Sequence, residues 1–195
     1  MAKLKVPVGP EDHTQGLADA PVTLVEYGDY QCPHCRRAYP IVKALQKKFG
    51  RQLRFVFRNF PLREIHPNAE AAAESAEFAA NYGKFWDMHD LIFENQNSLS
   101  EQILEELADR LTLDRQALRN ALRSGTFAER VQRDFSSGVR SGVNGTPTFF
   151  INGKRHDGDF ELETLLEAIE KMMHIPKLTR WLLIFRSFFS SAGRP

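Results

Sequence analysis

Cys32 and Cys35 are the two cysteines of this 195-residue chain, and they stand in the run Cys32-Pro33-His34-Cys35. A pair at this spacing is too local to staple a long loop. It can cycle between dithiol and disulfide, supply half of a metal site, or sit as ordinary thiols. A predicted strand ends just before the pair and a predicted helix begins at it, a context that favours redox chemistry. At a helix start the free N–H groups and the macrodipole favour an anion, so the Cys32 thiolate should be stabilised and its pKa should fall. Pro33 suits the first helical turn, where no N–H is needed and the proline φ is already helical. His34 can bring a positive charge or a hydrogen-bond donor beside the sulfur. Cys35 lies one turn inside and should be less exposed. Geometry therefore assigns attack to Cys32 and resolution of a mixed disulfide to Cys35. Such exchange needs no organic cofactor. A zinc site wants about four ligands, and His66, His89, His156 and His174 show no paired spacing that would supply the missing two, so no metal is expected.

Glu26 is the second candidate. Strand parity places it on one face with Val22 and Leu24, so a carboxyl group enters an apolar layer just before the cysteine loop. Burial should raise its pKa and allow it to pass a proton to or from Cys35. A shifted parity would leave it solvated at the strand's end.

The elements that must hold these groups are legible as hydrophobic periods. Val22 to Tyr27 is a short β-branched run between Pro21 and Gly28 and predicts a buried strand. Ala38, Ile41, Val42, Leu45 and Phe49 fall at helical spacing, with Gly50 as the stop. Leu53, Phe55 and Phe57 alternate with Arg54, Val56 and Arg58, which predicts a strand with one apolar face. A strand, helix and strand in this order favour a parallel pair. From 64 to 142 the period is helical, in four or five segments, with Ser98 or Ser100 and Asp114 as N-caps. The aromatic group Phe85, Trp86 and Phe93 reads as core. Thr148 to Ile151 and Lys154 to His156 flank Asn152-Gly153, a strong hairpin signal. A final helix spans Glu161 to Met173.

The domain organisation expected is an arm over 1–20 without periodicity, a discontinuous domain formed by 21–63 and 143–176, an inserted helical domain over 64–142, and a tail over 177–195. The tail carries four basic residues and no acidic one. Its Leu178, Trp181, Leu182 and Phe185 form an apolar stripe suited to packing on its own domain, on a second copy, or on a membrane surface. The whole chain, with 26 Lys and Arg against 25 Asp and Glu, has a net charge of +1. That balance argues against a nucleic-acid partner. No apolar stretch reaches the length of a spanning helix, about 18 residues. Lys3 and Lys5 are followed only by Val6-Pro7-Val8-Gly9-Pro10, which is no secretory signal, so a cytoplasmic location is expected, or a periplasmic or secreted one if a leader has been trimmed from the chain.

Glu26-Tyr27-Gly28-Asp29-Tyr30-Gln31 before Cys-Pro-His-Cys, a long helical insertion, then Gly145-Thr146-Pro147-Thr148-Phe149 and an Asn-Gly hairpin resemble the DsbA-like branch of the thioredoxin superfamily. The resemblance covers about residues 15–173. It implies an α/β thioredoxin fold with an inserted α-helical domain, and thiol–disulfide exchange with protein or peptide substrates and with a separate redox partner. It makes Pro147 a cis-proline facing Cys32 and leaves the Thr146 backbone free to pair with an extended peptide. It matches Glu26 to the family's buried acid and His34 to the residue that tunes the potential. The competing readings are a glutathione-dependent transferase or isomerase of kappa-like fold, which uses a single Ser in place of the dithiol, and a metal- or partner-binding module.

Overall fold

The computed structural model describes residues 2–173. The tail over 177–195 lies outside the described residues.

β2 (Val22–Gly28) runs into the cysteine loop, α1 (Pro33–Phe49) returns along the sheet, and β3 (Leu53–Asn59) pairs parallel with β2. β4 (Thr148–Ile151) lies antiparallel on the other side of β2 and turns through Asn152-Gly153 into β5 (Lys154–Arg155). Asn152 and Gly153 both have positive φ, 47° and 75°, which a tight hairpin of this kind requires. The expected arm contains a further strand, β1 (His13–Gln15), antiparallel to β3, giving a five-stranded sheet in the order β1-β3-β2-β4-β5. β1 carries no apolar alternation. Side-chain contacts hold it in place: Asp12 pairs with Arg58 at 2.7 Å and His13 Nε2 lies 2.9 Å from Glu77.

Five helices stand between β3 and β4: α2 (Ala69–Ala80), α3 (Phe85–Glu94), α4 (Glu101–Arg110), α5 (Arg115–Ser124) and α6 (Ala128–Arg140). Ser100 caps α4 by accepting from the Ile103 N–H, and Asp114 caps α5 by accepting from Gln116 and Ala117. α7 (Leu162–Met172) ends the described chain and packs beside α1.

One apolar core joins α1, the sheet face bearing Leu24 and Phe57, and the helices α2 to α5. Phe85 and Phe93 belong to it, and Trp86 packs against it. Leu45, wholly buried in α1, is one of its anchors; truncation of such a residue to Ala typically costs about 2–5 kcal/mol. A smaller core of Val25, Tyr27, Val56, Phe60, Val143 and Phe150 fills the other sheet face. β3 is therefore buried on both sides, against the single apolar face expected. Arg58 is 2 % exposed, and it is tolerated there because protein acceptors satisfy its charge. α6 closes onto this second face at Gly138, where a Cβ would stand 2.7 Å from the Phe60 ring.

Candidate active site

Cys32 is the N-cap of α1, with extended backbone (φ −71°, ψ 123°), Pro33 opening the helix and no acidic side chain in the first turn. Both cysteines are free thiols; Cys35 is wholly buried and Cys32 is 4 % exposed. The Cys32 thiol lies 3.3 Å from the Thr146 carbonyl oxygen. The Thr146 hydroxyl is buried without a hydrogen-bond partner in the dithiol. A hydrogen bond from this hydroxyl to the thiolate would lower the Cys32 pKa.

The Cys32 pKa is pulled down to about 5. The largest cause is a hydrogen bond from the Cys35 thiol; burial opposes it, and the Thr146 hydroxyl and the backbone N–H groups of Cys35 and His34 add to it. Cys35 is pushed well above the ordinary thiol value, by burial first and then by donating to Cys32. The backbone N–H of Asp29 donates to the Cys35 sulfur at 3.4 Å and pulls weakly the other way. One sulfur is thus prepared as an anion and the other as a neutral thiol one turn away.

Glu26 is 3 % exposed, and its Oε1 has no hydrogen-bond partner among the described residues. Its pKa is raised to about 8, by burial above all and then by the Cys32 charge. The carboxyl group sits beside Gly28, where a Cβ would approach Glu26 Oε1 to 3.2 Å and the Phe57 ring to 2.4 Å. Glycine at 28 leaves this space open. The Thr146–Pro147 peptide bond is cis.

The structure therefore gathers Cys32, Cys35, Glu26 and Thr146, with Pro147 adjoining Thr146. The exposed ring of His34 turns toward Phe160, with centroids 6.2 Å apart, and it is the His34 backbone N–H that reaches the Cys32 sulfur. Among the described residues no group of three or more His, Cys, Asp or Glu side chains is arranged to hold a metal ion.

Two residues at the loop had no role in the sequence reading. The Asp29 carboxylate is buried and accepts from the N–H groups of Gln31 at 2.7 Å and Leu62 at 2.8 Å. The first of these is an Asx turn, which an Asp two residues before Gln31 could have signalled. Gln96 donates to the carbonyls of Tyr30 and Cys32. Gln96 stands 64 positions after Cys32, and no local pattern announces it.

Residues 9–171 match a family model described as Thioredoxin. The Na(+)/H(+) antiporter NhaA 1 of Salinispora arenicola is 45 % identical over 167 residues, covering 85 % of this chain and 26 % of the antiporter. The chain thus spans about a quarter of the length of the curated relatives it matches. Oxidised BdbD from Bacillus subtilis aligns with a TM-score of 0.79 at 28 % identity, over 88 % of this chain and 98 % of BdbD. A thioredoxin-like oxidoreductase from Silicibacter pomeroyi aligns at 0.72 and 25 % identity, over 86 % and 95 %. A periplasmic thioredoxin-like protein from Salmonella enterica shares the fold at 0.69 and 17 % identity, over 85 % and 91 %. These likenesses overturn the cytoplasmic expectation. It rested on the first ten residues, and the start of a chain matching a quarter of its relatives' length carries no information about compartment.

Proposed function

The chain belongs to the thioredoxin family as a DsbA-like thiol–disulfide oxidoreductase, and we propose that it exchanges disulfides with protein or peptide substrates through attack at Cys32. In the oxidising direction a substrate thiolate attacks Cys32 Sγ of the enzyme disulfide. The Cys32–Cys35 bond breaks, its electron pair leaves on Cys35, and Cys35 takes up a proton. A second substrate thiolate then attacks the substrate sulfur of the mixed disulfide and releases Cys32 as a thiolate. Two substrate thiols become one disulfide and the enzyme is left as a dithiol. A separate redox partner would take the two electrons back.

The observation that carries this reading is the placement of the Cys32 sulfur: Cys32 is the N-cap of α1, its thiol lies 3.3 Å from the Thr146 carbonyl oxygen, and the buried free thiol of Cys35 lies one turn inside the helix. Stabilising that thiolate makes Cys32 a better leaving group and the enzyme disulfide a stronger oxidant. Glu26, protonated near neutral pH, is the proton donor for Cys35 in this reading: it is buried with an unpartnered oxygen, and its charge acts on the buried Cys35 thiol. The Thr146 backbone beside Cys32 offers an edge on which an extended peptide could pair. A location outside the cytoplasm fits this direction, because disulfides persist there.

The deciding experiment is the reduction potential of the Cys32–Cys35 couple together with titration of the Cys32 thiolate. A potential well above that of the glutathione pool supports oxidation of substrates; one near it supports reduction or isomerisation. Absence of any exchange with glutathione would overturn the assignment.

A further inference from the structure

Gln96 begins a 3₁₀ turn (Gln96–Ser98) between α3 and α4 and is 8 % exposed. Its Nε2 donates to the Tyr30 carbonyl at 2.7 Å and to the Cys32 carbonyl at 3.0 Å. Both hydrogens of the amide are thereby used, on two carbonyls that bracket Gln31. From the other side the Asp29 carbonyl accepts from the Cys32 N–H at 3.1 Å. The Asp29 carboxylate binds the Leu62 N–H and faces His66 Nδ1, each at 2.8 Å. Gln31 Oε1 accepts from the Asn68 N–H at 2.7 Å, and Asn68 Nδ2 reaches the Leu99 carbonyl at 3.0 Å. The loop from Asp29 to Cys32 is thus gripped by residues of the 62–99 stretch, and Gln96 is the grip that touches Cys32 itself.

We infer that Gln96 is a positioning residue: by holding the Tyr30 and Cys32 carbonyls it keeps Cys32 at the N-cap of α1 with its sulfur beside the Thr146 backbone, and so makes the helical segment a determinant of thiol reactivity. The inference rests on the exchange chemistry proposed above. Its physical basis is an asymmetry. Hydrogen bonds to a thiolate are charge-assisted and weaken steeply with misalignment, whereas the neutral thiol loses little when the loop shifts. Loosening the loop therefore destabilises the anion more than the acid. Without Gln96 the Cys32 carbonyl keeps only the Arg36 N–H among the contacts described, at 3.1 Å.

The test compares Gln96→Met, which removes both donors at similar volume, with Ser100→Ala, which removes the α4 cap without touching the loop. The readouts are thiolate absorbance against pH, equilibrium with glutathione, and thermal unfolding. Gln96→Met is expected to raise the Cys32 titration midpoint by about half a unit or more and to weaken the enzyme as an oxidant. Ser100→Ala is expected to lower the unfolding temperature and leave the titration on the wild-type curve. Gln96→Glu, which sets acceptors against the same carbonyls, should shift the midpoint in the same direction. Coincident titrations for both Gln96 variants and wild type would overturn the inference, as would an equal shift in Ser100→Ala. A wild-type protein that titrates near 5 and exchanges with glutathione while both variants match it would sink this inference and leave the functional reading standing; a wild type that does neither would sink both.

Discussion

Glu26 and Arg58 lie on neighbouring strands, one register position apart, and point to opposite faces of the sheet: Glu26 pairs across from Phe57, and Arg58 from Tyr27. Both are buried. Every N–H of Arg58 is spoken for. Asp12 takes two in a bidentate pair at 2.7 and 2.9 Å, and Tyr27 Oη, Val6 O and Pro7 O take the others at 2.8 to 3.1 Å. Glu26 has an oxygen without a partner and a pKa near 8. A buried ionisable group that is fully matched fastens the fold, here by tying residues 6–12 to β3. One left unmatched is held ready to change its charge. A cavity of about 510 Å³ between residues 6–12 and α6 is lined in part by Arg58, yet that guanidinium has nothing left to offer a ligand.

This contrast can be broken in order of effect. Cys32→Ser should reduce insulin reduction and peptide oxidation to background while circular dichroism stays native; retained turnover would end the whole account. Arg58→Met should cost about 3–5 kcal/mol in urea unfolding at pH 7, because Asp12 and two carbonyls lose their partner. The Cys32 titration of that variant should match wild type, and a shifted titration would mean that the two faces are not independent.

Glu26→Gln should act in the reverse sense. The native carboxyl titrates near 8, above its ordinary 4.5, so the folded state keeps a proton that the unfolded chain releases. The contribution of Glu26 to stability is fully present below about pH 4.5 and is lost as the pH climbs toward 8. Gln at 26 removes that loss, so the variant should gain about 3 kcal/mol at pH 7 and little at pH 4. In single-turnover experiments it should slow resolution by Cys35 without abolishing attack at Cys32; unchanged kinetics would remove Glu26 from the proton path. The smallest effect belongs to Thr146→Val, which keeps shape and carbonyl but deletes the hydroxyl. The Cys32 midpoint should rise from about 5 by about half a unit to one unit, read from thiolate absorbance.

The sequence made the site more legible than the scaffold around it. Cys32 and Cys35 at a strand-to-helix junction, and Glu26 in phase with Val22 and Leu24, are local patterns, and local patterns survive without coordinates. β1 escaped because its three residues, His13, Thr14 and Gln15, have no apolar period and owe their place to contacts made far along the chain, with Glu77. The burial of Arg58 escaped for the same reason: an arginine in a strand reads as solvated until its acceptors are known. Lowering of the Cys32 pKa was expected from the helix start and from the His34 ring. The helix start acts through backbone N–H groups, but the largest cause is the thiol of Cys35 itself.

The apolar core that runs unbroken from α1 through the sheet into α2 to α5 bears on how such a protein can diversify. A detachable cap could be exchanged whole for another with different tastes. Here, removing the helices would bare the sheet to water and take Gln96 away from the cysteine loop at the same stroke. Any replacement of the helices would have to rebuild that core and the hold on Cys32 together.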